Sequence, residues 1–270
     1  MLTRRAMLMA GGATAVVGGI AGVGVAAVWP GGAKAREPWR RAGESLGDPR
    51  LDALAYAILA PNPHNRQPWE FELVNDDAID IYCDLDRRLP HTDPYDRQIT
   101  IGFGCLIELL VMAAAEKGYV AEVQVFPDGE PQPRLSGNRM AQVVFRPDQG
   151  AARDPLFASV LERRSTKEPF DVSRPVAADA VATVTRAAHG EVATGSTLAA
   201  ERIARLKQLT WDAWLVEYET PQTRRESIDL MRIGNAAVAR NPDGIDLGGG
   251  AMGAMKLVGM ISHDQLDTPG

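Results

Sequence analysis

Metal-binding and nucleophilic residues are scarce in this chain of 270 residues, which has four histidines and two cysteines. His64, His91, His189 and His263 have no metal-ligand spacing with one another or with Cys83 and Cys105, so a structural or catalytic metal centre is not expected. No P-loop, glycine-rich nucleotide loop or nucleophile elbow is evident, which argues against nucleotide hydrolysis and triad-type acyl transfer. Basic runs are also missing: 29 Lys and Arg face 35 Asp and Glu, a net charge of −6. A chain of that balance does not suit nucleic acid or an anionic membrane surface as partner. The two cysteines leave two readings. They pair in an oxidising compartment, or they are two buried thiols, since both lie in apolar-patterned elements.

The N-terminus has the layout of an export signal. Thr3-Arg4-Arg5-Ala6-Met7-Leu8 places paired arginines ahead of an uncharged Gly/Ala/Val stretch from Ala6 to Ala33, and Ala33-Lys34-Ala35 offers a small-x-small cleavage site. The arginine pair before a mild, glycine-rich apolar region is of the twin-arginine type. Ala13 to Val28 is long enough to serve as an uncleaved membrane anchor instead. Six glycines between Gly11 and Gly24 lower its apolarity and point to cleavage. The expected location is therefore the periplasm, cell envelope or exterior, membrane-attached only if the segment stays. Without residues 1–35 the chain has 235 residues; losing Arg4, Arg5 and Lys34 takes 29 basic residues to 26 against 35 acidic, a net −9. Length and composition then suit an ordinary globular body.

Beyond a polar arm, Arg36 to Gly47, Asp48-Pro49 reads as N-cap and first helical residue. Leu51, Leu54, Ala55, Ile58 and Leu59 follow as one apolar helix face. Then comes Ala60-Pro61-Asn62-Pro63-His64-Asn65-Arg66-Gln67-Pro68-Trp69-Glu70-Phe71, with three prolines and two asparagines in a helix-to-strand corner too polar for a core. Trp69–Val74 and Ala78–Cys83 read as a hairpin, and Asp84 to Asp96 as a charged loop. A long apolar helix is expected from about Arg97 to Lys117, ended by Gly118 as a C′ glycine. Tyr119–Phe126 and Met140–Phe145 read as further strands. A polar break at Arg146 to Asp154 suggests halves at 36–150 and 151–270. In the second, a short helix from Pro155 to Arg163 leads into Arg163-Arg164-Ser165-Thr166-Lys167-Glu168-Pro169-Phe170. A helix at Val176–Ala188 and a strand at Glu191–Leu198 echo the first half, joined only by His189-Gly190. Helices at about Ala199–Tyr218 and Thr223–Arg240 precede a Gly/Met-rich, weakly patterned tail, Asn241 to Gly270.

The corner resembles the "APS-x-x-N-x-QPW" corner of the FMN-dependent nitroreductase superfamily, and Arg163 to Phe170 is similar to that superfamily's "RRS-x-R-x-F" opening. The order of the motifs is reversed and almost a hundred residues separate them. That arrangement resembles the Acg branch, exported actinobacterial proteins with two nitroreductase-like halves in one chain. Asp93-Pro94, Arg97, Gly102 and Met231-Arg232-Ile233-Gly234 also look like that branch, and the similarity covers about Asp48 to Gly259.

The resemblance implies an α+β nitroreductase-like fold, a pseudo-dimer of two halves with the second incomplete, holding one FMN. Arg163, Ser165 and Lys167 would meet the FMN phosphate, and Asn62, Pro63 and Asn65 would face the ring and ribityl chain, with Gln67 anchoring the corner. The fused halves would replace an obligate homodimer. The implied function is flavin-mediated hydride or electron transfer to a nitro or quinone-type small molecule; the alternative is a non-catalytic protein that sequesters or stores FMN. One departure stands out. The superfamily's second half continues with another long helix, a segment whose backbone amide faces flavin N5, and a basic phosphate contact, for which this tail shows no match. Other residues keep two readings. Arg163, Arg164 and Lys167 form either a phosphate site or a solvated helix end. Arg97 meets a phosphate or pairs with Asp93 or Asp96. His64 is an acid catalyst or a loop histidine held by hydrogen bonds. Trp69 reads as core beneath the corner, and Trp211, Trp214 and Tyr218 as helix packing.

Overall fold

The computed structural model describes residues 35–166, 168–187 and 193–268. Residues 1–34 of the expected export signal, Lys167, the His189-Gly190 corner, Glu191 and the last two residues lie outside the described residues. Two compact units emerge, one running to Arg163 and resuming at Gln222, the other formed by Arg164–Pro221. The expected halves at 36–150 and 151–270 concern descent, which compactness does not address.

The first unit begins with a short helix in the polar arm, α1 (Glu37–Arg41), and then α2 (Pro49–Ala57). Asp48 caps α2 as its sequence promises, accepting the Arg50 amide at 2.9 Å. The same carboxylate grips the Arg50 guanidinium (Nη2 to Oδ2 2.7 Å), and that hydrogen bond holds Asp48 below the usual carboxylate range. Arg50 is buried and carries the grip onward, donating to the carbonyls of Asn75 (2.9 Å) and Ala78 (3.2 Å). Helix start and hairpin turn are thus tied by one side chain. The buried face of α2 is not quite the one expected: Ala53 and Ala57 are fully covered with Leu54, while Leu51, Ala55 and Ile58 are half-buried. Two alanines let this helix lie close to its neighbour, and small residues carry little periodicity signal.

The hairpin β1 (Trp69–Val74) and β2 (Ala78–Cys83) forms over the expected residues. The long helix α3 (Arg97–Glu116) follows, then β3 (Tyr119–Val125) and β4 (Ala141–Pro147). All pairings are antiparallel, in the order β1-β2-β4-β3. On β4, Ala141, Val143 and Phe145 alternate into the core. They meet Ile79 and Ile81 of β2 and the buried stripe of α3, Ile99, Phe103, Leu106, Leu110, Ala113 and Ala114. Each large apolar side chain buried there contributes on the order of 2 kcal/mol. By length and composition α3 is able to cross a membrane; here it is the central helix of a packed core. Gly118 ends it with φ +78°, a left-handed C′ residue. Asp80, between Ile79 and Ile81 on β2, is buried along with them, held by Gln142 at 2.8 Å and Arg139 at 3.4 Å.

Both cysteines are free thiols in this structure; Cys83 is buried as the second reading expects, and Cys105 is only half-buried. Burial pushes the Cys83 thiol up to about 12, with the Asp96 carboxylate adding to the effect. The folded chain therefore holds this proton more tightly than the unfolded one, whose thiol titrates near 9. That stabilisation is complete below pH 9 and is lost as pH climbs from about 9 to about 12. Urea midpoints measured between pH 8 and 10.5 should fall more steeply for the wild type than for Cys83→Ala; parallel curves would contradict the assignment.

The second unit contains α4 (Ala178–Ala187) and α5 (Ala200–Glu219). Along α5 the rings of Trp211, Trp214 and Tyr218 stack in succession with centroids 5.0 Å apart, so these aromatics pack on one another. The strand expected at Glu191–Leu198 is absent over the described part, residues 193–198. Gly195 and the short polar run around it supply neither apolar alternation nor a partner strand. The helix expected up to Arg163 shortens to a 3-10 turn, Pro155–Ser159, capped by Asp154.

The first unit then resumes. Where a single helix is expected from Thr223 to Arg240, there are three elements: α6 (Pro221–Asp229), β5 (Met231–Ile233) and α7 (Asn235–Arg240). Gly234, at φ +85° and packed on Gly253, turns the chain between the last two. The tail is also more ordered than its pattern suggests. It forms β6 (Ile245–Leu247), parallel to β5, then α8 (Gly250–Leu257) and α9 (His263–Leu266). The expected absence of a glycine-rich loop needs amending too. Gly248, Gly250 and Gly253 stand in G-x-G-x-x-G spacing from the end of β6 into the first turn of α8. Two amides of that turn are taken internally, Gly248 by Asp246 and Gly249 by Asn235.

Candidate functional site

The corner between α2 and β1 concentrates backbone strain. His64, Asn65 and Gln67 have φ of 50°, 52° and 49°, three left-handed non-glycine residues within four positions. Asparagine and histidine tolerate this region better than most; for Gln67 the cost is on the order of 1 kcal/mol or more, so the surroundings must enforce it.

Asn62 supplies one brace from inside. Its amide nitrogen donates to the Ala60 carbonyl (3.1 Å) and its oxygen accepts the Gln67 backbone amide (2.7 Å). Both ends of this carboxamide hold the loop's own chain. Pro63 opens the 3-10 turn Pro63–Asn65, and its carbonyl accepts the Arg66 amide at 3.0 Å. Beneath lies Gly102 of α3: a Cβ there would come 3.2 Å from the Asn62 Cβ and 3.6 Å from Pro63, so the helix passes this close because the residue is glycine. Pro68 is fully buried, and the half-buried Trp69 ring meets Phe103 edge-on with centroids 6.1 Å apart.

The second brace comes from the C-terminal segment. Gln67 Nε2 donates to the Pro242 carbonyl (2.9 Å) and to Asn65 Oδ1 (3.2 Å), and the Gly244 amide donates to the Asn65 carbonyl (3.0 Å). His64 Nε2 lies 2.9 Å from the Ser227 hydroxyl. Arg66 Nη1 donates to Asp243 at 2.9 Å. Nearby, Glu226 accepts from the Thr92 amide and hydroxyl, both at 2.7 Å, pinning α6 to the loop before α3. Ser227, Glu226, Pro242, Asp243 and Gly244 escaped the sequence reading. Several act through backbone groups, which leave no signature, and their partners lie far away in the chain.

Arg163 belongs to the first unit and reaches the corner's upstream end. Its Nη2 donates to the Leu59 carbonyl at 3.0 Å, one residue before Ala60, and its guanidinium lies over the Trp39 ring at 5.6 Å. A cation at this helix end complements the α2 dipole. Ser165 is an exposed residue near the start of the second unit. Arg97 takes neither of its two expected partners. Asp93 accepts the Arg97 and Ile99 amides at 2.9 and 3.0 Å, capping α3, and Asp96 holds Arg134 at 3.1 Å. The Arg97 guanidinium sits over Tyr95 at 5.1 Å instead. Among the described residues no cluster of His, Cys, Asp and Glu suits a metal ion.

Asn62, Pro63, Asn65, Gln67 and Arg163 are thus gathered in one unit, around a rigid polar corner. Of these, Asn65 is exposed, and its carbonyl-type oxygen already accepts from Gln67, which turns the amide hydrogens into the available donors.

No family model matches the chain. Among curated proteins, it is 29% identical over 150 residues to a Mycobacterium tuberculosis protein provisionally named NAD(P)H nitroreductase Rv3131, covering 56% of this chain and 42% of that protein. It is 30% identical over 120 residues to the provisionally named NAD(P)H nitroreductase acg of the same organism, covering 44% and 34%. A third relative there, an uncharacterized protein, is 28% identical over 125 residues. The matches span less than half the length of these relatives.

Proposed function

The chain belongs to the nitroreductase superfamily, in its Acg-like branch, and on that premise we propose that it is an FMN-binding oxidoreductase acting on nitro or quinone-type small molecules. The observation that carries this reading is the doubly braced corner, strained at His64, Asn65 and Gln67 and flanked by Arg163. Strain of this kind persists where the protein needs a fixed surface for a ligand.

The donor set suits FMN. A flavin presents acceptor atoms along its ring edge and a dianionic phosphate, and the corner offers the outward amide of Asn65 and the guanidinium of Arg163. When bound, FMN would supply the hydride and electron chemistry itself. The chain's own residues bind and orient: Arg163 meets the phosphate, and Asn65 addresses the ring or ribityl chain. Asn62 and Gln67 hold the loop in shape from within. Pro63 and Gly102 set how closely the corner lies on α3, and Arg97, whose guanidinium lies over Tyr95, is kept as a second cation for the phosphate.

The proposal keeps two nitroreductase-like halves in one chain, without an obligate homodimer and without nucleic acid as partner. It also keeps export by the twin-arginine route, which carries folded, cofactor-loaded proteins. The purified protein is expected to be yellow, with FMN released on denaturation. A colourless folded protein that takes up no added FMN would sink the reading. Retained flavin without NADPH turnover, whatever the nitroaromatic or quinone offered, would assign a storage role instead.

A further inference from the structure

Asp243 lies in a segment without recognisable pattern, yet three arginines from three separate stretches converge on it. Arg66 Nη1 of the corner is 2.9 Å from its carboxylate, Arg232 Nη2 of β5 is 2.8 Å away, and Arg87 Nη1 of the turn after β2 is 3.9 Å away. The Asp243, Arg66 and Arg232 side chains are 17%, 13% and 16% exposed, so this cluster is largely shielded from water. Burial lowers the affinity of Arg66 for its proton, Asp243 opposes that, and Arg87 and Arg232 add to it. Asp243 is the counter-charge on which all three guanidiniums converge; Asp84 pairs with Arg87 at 3.0 Å and adds a smaller attraction on Arg66.

The residues on either side of Asp243 make the backbone bonds to the corner. Pro242 accepts from Gln67, and Gly244 donates to Asn65. Gly244 has φ +81°, and a Cβ there would overlap the Leu230 carbonyl, so the chain threads through with no freedom to shift. The carboxylate therefore fixes the two contacts that hold Asn65 and Gln67 left-handed.

We infer that Asp243 is a positioning residue: its three-arginine clasp holds the segment from β5 to β6 on the corner and so sets the shape of the ligand-binding face. The inference rests on the FMN reading for its ligand, while the clasp itself is independent of it. Neutralising Asp243 leaves the three cations to repel one another and loosens Pro242 and Gly244 together.

The test compares wild type, Asp243→Asn, Arg66→Gln and a control, Asp128→Asn, whose carboxylate pairs with Arg139 at 2.6 Å. Limited trypsin digestion followed by mass spectrometry reads the rate of cleavage after Arg240, in the clasped segment. FMN titration by fluorescence quenching reads affinity, and the visible spectrum of the bound flavin reads its surroundings. Asp243→Asn should cleave at least tenfold faster after Arg240, bind FMN at least tenfold more weakly, and shift the flavin spectrum at saturation. Arg66→Gln, which leaves two arginines on Asp243, should move in the same direction by less and serves if Asp243→Asn does not fold. Asp128→Asn should match wild type. Unchanged cleavage in both clasp variants overturns the clasp. Faster cleavage with unchanged FMN affinity and spectrum overturns the positioning role while leaving the flavin reading intact. If wild type binds no FMN, the flavin reading and with it the positioning role fall, and the cleavage rates still decide the clasp.

Discussion

Replacing Arg163 by alanine is expected to yield a folded protein that purifies colourless. A guanidinium facing a doubly charged phosphate makes charge-assisted, often forked hydrogen bonds. Losing such a partner costs about 2–4 kcal/mol, or roughly 30- to 1000-fold in Kd. Arg163→Lys keeps the charge without the fork and should fall between. The fold should survive, because the core of α2, α3 and the four-stranded sheet is built without the Arg163 side chain, which reaches it through the Leu59 carbonyl. FMN titration of the three proteins at low salt, with circular dichroism as the folding control, makes the comparison. An alanine variant that keeps stoichiometric flavin would remove Arg163 from the site. A solvated helix end would be the right description after all.

The largest stability effect is expected at Asp96. This residue is fully buried with φ +55°, accepts the Leu135 amide at 3.0 Å, and faces Arg134 at 3.1 Å and Arg88 at 3.6 Å. It joins the start of α3 to the strand connection before β4. Asp96→Asn preserves size and tolerance of the left-handed conformation and removes only the charge. Two arginines, each a quarter to a third exposed, then lose the fully buried carboxylate that holds them, at a cost of about 2–3 kcal/mol once solvent screening of the arginines is allowed for. For a domain of this kind that is a large share of the net stability. Urea denaturation should show the midpoint lowered by roughly 1–2 M with an unchanged slope. A shift within error of zero would mean that water already reaches the pair.

The sequence made the first sheet and its helix legible because their signals are local. Trp69, Phe71 and Leu73 are spaced by glutamates, Ile79, Ile81 and Cys83 by Asp80 and Tyr82, and turn formers join the two segments. Arg97–Glu116 is long, apolar and closed by Gly118, so its end differs from expectation by one residue. The corner announced itself by composition. What the sequence hid was its enclosure. β5 and β6 have three residues each, too few for any period to register, and they pair only after the chain crosses over through α7. A helix-compatible run from Thr223 to Arg240 is interrupted there because Gly234 turns the backbone where no side chain fits. The role of Asp243 was illegible for a different reason. One aspartate in a charged chain carries no mark, and its meaning comes from three arginines at positions 66, 87 and 232 that the fold brings together.

The corner also has a place in time. His64, Arg66 and Gln67 find their partners 163, 177 and 175 residues further along the chain. At a synthesis rate of about 5–20 residues per second, that stretch takes roughly 10–35 s to translate. The sheet and α3 have everything they need well before then. The left-handed residues do not, and they gain their enforcing contacts only when Pro242, Asp243 and Gly244 leave the ribosome. A chain stopped short of those codons would carry a sound sheet and an unshaped corner, so the corner takes its form well after the sheet beneath it.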